Sequence, residues 1–130
     1  MKSNVQQTAI MSPIKSFRDF DVYKLSHEFA MNIYKISIKF PKEEKYSLTD
    51  QIRRSSRSIS ANLAEGWGKR TYIKLFKRHL IDALGSLEET VEWILYSFDC
   101  EYIDIKIRDT LLNTSQEIGA KLYKLNDNWH

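Results

Sequence analysis

From Ile73 to Phe98, apolar residues return every three or four positions without a break: Ile73, Phe76, Leu80, Leu84, Leu87, Val91, Ile94 and Phe98. That spacing lays them along one face of an α-helix. It predicts a helix from Thr71 or Tyr72 to Phe98, about 40 Å long at about 1.5 Å per residue. A helix of that length needs partners to cover its apolar face, and the chain supplies three. Val22, Leu25, Phe29, Ile33, Ile36 and Phe40 predict one from Asp21 to Lys39, stopped by Pro41. Ile52, Ser56, Ile59 and Leu63 predict a second over Leu48 to Glu65, with Ser47 and Thr49 as candidate N-caps. Ile107, Leu111, Thr114, Ile118, Leu122 and Leu125 predict the last, from a capping Asp104 to Leu125. The links between them are short, which favours antiparallel neighbours. The expected fold class is all-α: an antiparallel up-down-up-down four-helix bundle.

The bundle is expected over residues 17–126. Residues 1–16 read as a flexible lead, with Met11 as a second candidate start beside Met1, and 127–130 as a polar tail whose Trp129 folds back. Phe17 and Phe20 are expected to anchor the entry to the first helix. Gly66 and Gly68 bracket Trp67, and the pair reads as a left-handed stop to the second helix. Gly85 lies inside the long helix, where it costs about 1 kcal/mol relative to alanine. A close backbone contact with another helix is the expected compensation. Ser56, Ala61 and Ala64 narrow the second helix and let a neighbour approach. Leu75, Ala83, Trp93, Leu95 and Tyr96 form surplus apolar surface beside the main stripe, which suits an oligomer interface.

Only four glycines and two prolines occur in 130 residues, in keeping with long helices. The one cysteine, Cys100, excludes an internal disulfide framework and points to a reducing compartment. No apolar run approaches the roughly 20 residues of a membrane span, and the N-terminus has no apolar signal core. A cytoplasmic location with no membrane partner is expected.

Catalytic patterns are missing. His27, His79 and His130 lie far apart in sequence, so no metal site is expected. Glu88, Glu89 and Glu92 lack the Glu-x-x-His element of di-iron bundles. Cys100 has no base nearby, and the serines of RRSSRSIS sit on a helix without a nucleophile elbow. The glycines of EGWGKR follow no strand, so no phosphate-cradling loop is formed. A helix-turn-helix around that glycine turn conflicts with the length of the third helix. The reading is a non-enzymatic protein with no catalytic residue, no metal and no cofactor.

Charge is the informative feature. The net charge is only +3, but it is segregated. Residues 51–81 hold Arg53, Arg54, Arg57, Lys69, Arg70, Lys74, Lys77 and Arg78 against one acid, Glu65. Residues 82–104 hold Asp82, Glu88, Glu89, Glu92, Asp99, Glu101 and Asp104 and no Lys or Arg. The long helix thus opens basic and closes acidic, against its own macrodipole. Helix stability does not account for that order. Arg57, Lys69, Arg70, Lys74, Lys77 and Arg78 are therefore candidates for phosphate contacts, with Trp67 and Tyr72 as candidate stacking partners for bases. Arg53 and Arg54 fall beside the acidic half of the third helix, where pairing with Glu88 or Glu92 is expected. These four are assigned to an interface.

FPKEEKYSLTDQIRRSSRSISANLAEGWGKR, over residues 40–70, resembles the bacterial four-helix-bundle proteins encoded in intervening sequences of large-subunit ribosomal RNA genes, a family also labelled ribosomal-protein-like. FRDFDVY upstream and LIDALGSLEE downstream are similar to the same pattern, and the resemblance covers about residues 17–125. It implies a bundle that assembles as a ring-like homo-oligomer, commonly a pentamer, without established enzymatic activity. A related branch, the accessory variability determinant of diversity-generating retroelements, is similar to this bundle. It works with a reverse transcriptase through basic surfaces that engage RNA or DNA. Two functional expectations follow: binding of RNA or DNA, or a protein-interaction module such as an accessory subunit for a reverse transcriptase.

Overall fold

The computed structural model describes residues 14–130. The assignment of residues 1–13 to a flexible lead, and the choice between Met1 and Met11, lie outside the described residues. The described chain forms α1 (Asp21–Ser37), α2 (Leu48–Gly68), α3 (Ile73–Asp99) and α4 (Ile105–Asn128), with short 3-10 turns at Phe17–Asp19 and Lys42–Glu44. No strand occurs among the described residues. Each helix packs on its sequence neighbours and α1 closes against α4, so the four stand as a square, up-down-up-down. The α2–α3 pair is the most extensively packed side.

The apolar stripes meet in one core, with Phe29, Ile33, Ile59, Leu63, Phe76, Leu80, Ile94, Ile118 and Leu122 almost wholly shielded from solvent. On α3 the buried face sits slightly to one side of the stripe drawn from spacing. Ala83 is fully buried in the core, not part of the surplus surface, whereas Ile73 is 43% exposed. Leu75, Leu95 and Tyr96 do lie on the outside.

Hydroxyls hold the α2–α3 side close. Thr90 Oγ1 lies 2.8 Å from Ser55 Oγ, and Ser86 Oγ donates to Ser58 Oγ at 2.9 Å. Ser56 and Ser97 bond carbonyls of their own helices. Small side chains that satisfy their own polar atoms allow close approach without stranding a donor.

The glycines work differently from their expected roles. Gly66 and Gly68 are both helical residues of α2, and no glycine among the described residues has a positive φ. Gly66 is instead a packing site: a Cβ there would lie 2.8 Å from His79 Cβ. The helix ends after Gly68 by tightening, with Lys69 N–H bonding Gly66 O at 2.9 Å and Arg70 N–H bonding Trp67 O at 3.2 Å. Gly85 has no heavy atom within 4 Å of a Cβ built on it, so the expected close helix contact is absent.

Capping follows chemistry that spacing alone does not show. Ser47 occupies the N-cap position of α2 but its hydroxyl bonds Glu44 Oε1 at 2.6 Å, and Glu44 Oε1 accepts Leu48 N–H at 3.3 Å. Thr49 lies buried within the first turn. Asp104 caps α4 as expected, accepting Ile107 N–H at 2.8 Å.

Candidate nucleic-acid interface

Antiparallel packing of α2 on α3 brings the end of one helix to the start of the other. Lys69, Arg70 and Tyr72 form the tip of this hairpin, and Lys74, Lys77 and Arg78 occupy the first turns of α3. Seven of the eight residues assigned to nucleic acid, Trp67 among them, therefore share one end of the bundle.

The floor of that end is aromatic. Phe76 and Trp129 have centroids 4.6 Å apart, Phe20 and Trp67 5.5 Å, and Phe20 and Trp129 6.1 Å. The Phe20 contacts are edge-on and the Phe76–Trp129 pair is tilted, and such contacts fix ring positions as well as burying area. They fasten the entry to α1, the end of α2, the start of α3 and the residue after α4 to one another. Trp129 does fold back, and α4 extends to Asn128 to deliver it.

The basic residues divide by what they already hold. The Arg70 guanidinium lies 3.9 Å from the centroid of the Trp67 ring and donates to Trp67 O at 2.9 Å. This bond covers a carbonyl at the open end of α2. Trp67 is half-buried, covered by Arg70 and contacted by Phe20 and Trp129, so it is a poor partner for an incoming base. Lys69 Nζ contacts Glu65 Oε2 at 3.1 Å and His79 Nε2 at 3.2 Å. The Glu65 carboxyl is held below its ordinary value, chiefly because Lys69 hydrogen-bonds to it and adds a positive charge beside it.

A chain of side chains fixes His79. The Asn62 amide nitrogen donates to Ser58 O at 2.9 Å, which turns Asn62 Oδ1 towards His79 Nδ1 at 3.1 Å. The Asn62 oxygen can only accept, so Nδ1 is the donor of this pair, and Nε2 faces Lys69 Nζ. Gly66, packed under the His79 Cβ, makes room for this arrangement.

Lys74, Lys77, Arg78 and Tyr72 are less committed. Among the described residues, no carboxylate lies within ion-pair distance of Lys74, Lys77 or Arg78. Lys74 and Arg78 are exposed, and Tyr72 is 68% exposed.

Arg57 does not join this end. It precedes Lys69 by twelve residues, roughly 18 Å along the helix. Its guanidinium lies 5.8 Å from the Tyr34 ring on the α1 side. Arg53 lies on the same flank, donating from Nε to Ser37 Oγ at 2.8 Å and covering Tyr34 at 4.7 Å. The expected pairing of Arg53 or Arg54 with Glu88 or Glu92 does not form among the described residues. The reason is rotational. Ser55, Ser58 and Asn62 face α3, and a residue two positions from Ser55 is turned about 200° away. Arg53 must therefore point at α1, while Arg54 stays exposed.

Sequence reading missed Tyr34, His79, Asn62 and the aromatic floor. Trp129 offered the one usable signal, a large apolar side chain in an otherwise polar tail. No group of three or more metal-ligating side chains occurs among the described residues. No helix there is long and apolar enough to cross a membrane.

An antiparallel four-helix bundle with a basic hairpin end defines the class. The family of the 23S rRNA-intervening sequence protein matches residues 18–124, and the chain belongs to it. The chain is also similar to a crystal structure of a protein of unknown function from the S23 ribosomal protein family of Bacteroides thetaiotaomicron VPI-5482. The two share 30% identity and a TM-score of 0.75, with 82% of this chain and 96% of that chain covered. No curated protein matches it.

Proposed function

We propose that this chain is a non-catalytic, self-associating bundle that binds RNA or another nucleic acid through its hairpin end. The observation that carries the reading is the set of Lys74, Lys77 and Arg78, free of ion-pair partners among the described residues and mounted above a rigid aromatic floor. Cations with no internal partner are suited to phosphate contacts, whose binding releases condensed counterions. A family named for intervening sequences of 23S rRNA fits a nucleic-acid ligand. Lys69 and Arg70 add charge to the same end, with Arg70 acting mainly as a helix cap. Self-association draws on the exposed apolar residues further along α3, Ile81, Leu95 and Tyr96, and on the family resemblance to ring-like pentamers.

Fluorescence anisotropy with a structured RNA tests the reading. Changing Lys74, Lys77 and Arg78 together to glutamate is expected to weaken binding by about 100-fold or more. The wild type is expected to lose affinity steeply between about 50 and 200 mM salt. Salt-independent affinity, or full binding by the triple variant, sinks a phosphate-driven mechanism. A second reading rests on the segregated charge: the basic end meets an acidic partner, such as an accessory surface on a reverse transcriptase, or the acidic half of a second copy. Light scattering across a salt series separates the two. Salt-induced dissociation in a chain that binds no nucleic acid favours the partner reading.

A further inference from the structure

We infer that the hairpin end takes an unpaired strand, with one base stacked on Tyr72, and not the outside of a duplex. This inference rests on the nucleic-acid reading and names its ligand class. Tyr72 has a fixed backbone and an unoccupied ring. Its N–H bonds Lys69 O at 3.0 Å, and its own carbonyl accepts Leu75 N–H at 3.0 Å and Phe76 N–H at 3.1 Å. Its side chain makes no hydrogen bond to the N-terminal turn of α3, and among the described residues no aromatic ring or cation stacks on it. The ring therefore stands on a rigid support, 68% exposed, with Arg70 and Lys74 two positions to either side.

The other exposed tyrosines lack this combination. Tyr46 is 85% exposed but lies at the opposite end of the bundle, with Lys45 Nζ already 5.3 Å from its ring centroid. Tyr96 packs on Trp93 in the acidic half of α3, with centroids 5.9 Å apart. Tyr123 lines the α3–α4 groove with Glu88 and Gln116.

Two features distinguish strand from duplex. Ile73 and Leu75 beside the tip are 43% and 48% exposed. Apolar side chains gain little from the phosphates of a duplex, whose bases are already stacked, but they extend a platform for a splayed base. The patch is also short, roughly 10 Å along α3 from Tyr72 to Arg78. Modules that read double-stranded RNA reach across two minor grooves, a span of about 16 base pairs.

The test uses the full chain, a short labelled oligouridylate and an RNA duplex of equal length. The strand is expected to bind more tightly than the duplex. Tyr72→Ala is expected to weaken strand binding by about tenfold and leave duplex binding unchanged, while Tyr72→Phe keeps the wild-type affinity. Thermal melts of both variants report that the fold is retained. If the duplex binds as well as the strand and Tyr72→Ala changes neither, the unpaired-strand inference is overturned. Loss of that binding with Lys74→Glu and Arg78→Glu would still leave the broader nucleic-acid reading intact. If neither probe binds, the broader reading fails and this inference falls with it.

Discussion

The two ends of the bundle use polar residues in opposite ways. At the end away from the hairpin, Glu44 is saturated: it accepts from Ser47 Oγ and Leu48 N–H through Oε1, and from Tyr102 Oη at 2.9 Å through Oε2. Tyr102 also packs on Phe40, with centroids 5.5 Å apart. The start of α2 is thereby tied to the α3–α4 turn. That turn closes with Tyr102 N–H on Ser97 O and Glu101 N–H on Phe98 O, both at 2.9 Å, a Schellman pair. Glu101 takes the left-handed conformation this requires, at φ 65°. At the hairpin end the arrangement is layered. Rings and the His79 chain are committed to structure, while Lys74, Lys77, Arg78 and Tyr72 are left over. Polar groups bonded within the chain stabilise the fold, whereas those held on a rigid base without internal partners are available for a ligand.

That contrast can be tested through stability, from the largest expected effect downward. Gly66→Ala at the hairpin end places a Cβ against a Cβ of the neighbouring helix, and neither atom lies at the end of a flexible side chain. Overpacking is expected to exceed the gain of roughly 1 kcal/mol in helix propensity, for a net loss of about 1–2 kcal/mol in denaturant unfolding. Gly85→Ala, with open space around it, should stabilise by up to about 1 kcal/mol and serves as the control. A stabilised Gly66→Ala would contradict the close α2–α3 contact. At the other end, Glu101→Gly removes the left-handed penalty and should stabilise by about 1 kcal/mol without altering nucleic-acid affinity.

The smallest effect is pH-dependent. Hydrogen bonds from Ser47, Tyr102 and Leu48 hold the Glu44 carboxyl below its ordinary 4.5. Its contribution is present above that value and is lost as pH falls through the lowered one. The hydrogen bond to Glu44, with burial, pushes the Tyr102 phenol from 10.0 to about 12. Its contribution is present below pH 10 and is lost as pH rises towards 12. Tyr102→Phe should therefore melt below the wild type near neutrality, with the gap narrowing towards both extremes. A gap independent of pH would show that ring packing on Phe40, and not the bond to Glu44, joins this end.

The helices were legible because each apolar stripe repeats for several turns, and the meeting of Lys69 through Arg78 followed from antiparallel order alone. What stayed hidden depended on rotation and on distant partners. A glycine in a helix-ending context reads equally as a stop or a close approach, and only the opposing His79 decides for Gly66. The level of Arg53 along α2 points to the acidic half of α3, but its direction around the helix sends it to Tyr34, and Arg57 lies too far back along α2 to reach the tip. Glu44 and Tyr102 are 58 positions apart. Phe20 as an anchor and a folded-back Trp129 are each expected from sequence, but no local pattern links the two, so their meeting in one floor was not legible.

The aromatic floor also determines where attached segments leave the molecule. Trp129 lies 4.6 Å by ring centroid from Phe76 in the first turn of α3, so chain leaving α4 past Trp129 departs beside the basic tip. An affinity tag or fluorescent fusion placed after His130 would sit next to the surface being assayed, and an acidic tag would compete with phosphate for it. A label on Tyr46 or Cys100, exposed at the far end, would leave that surface clear.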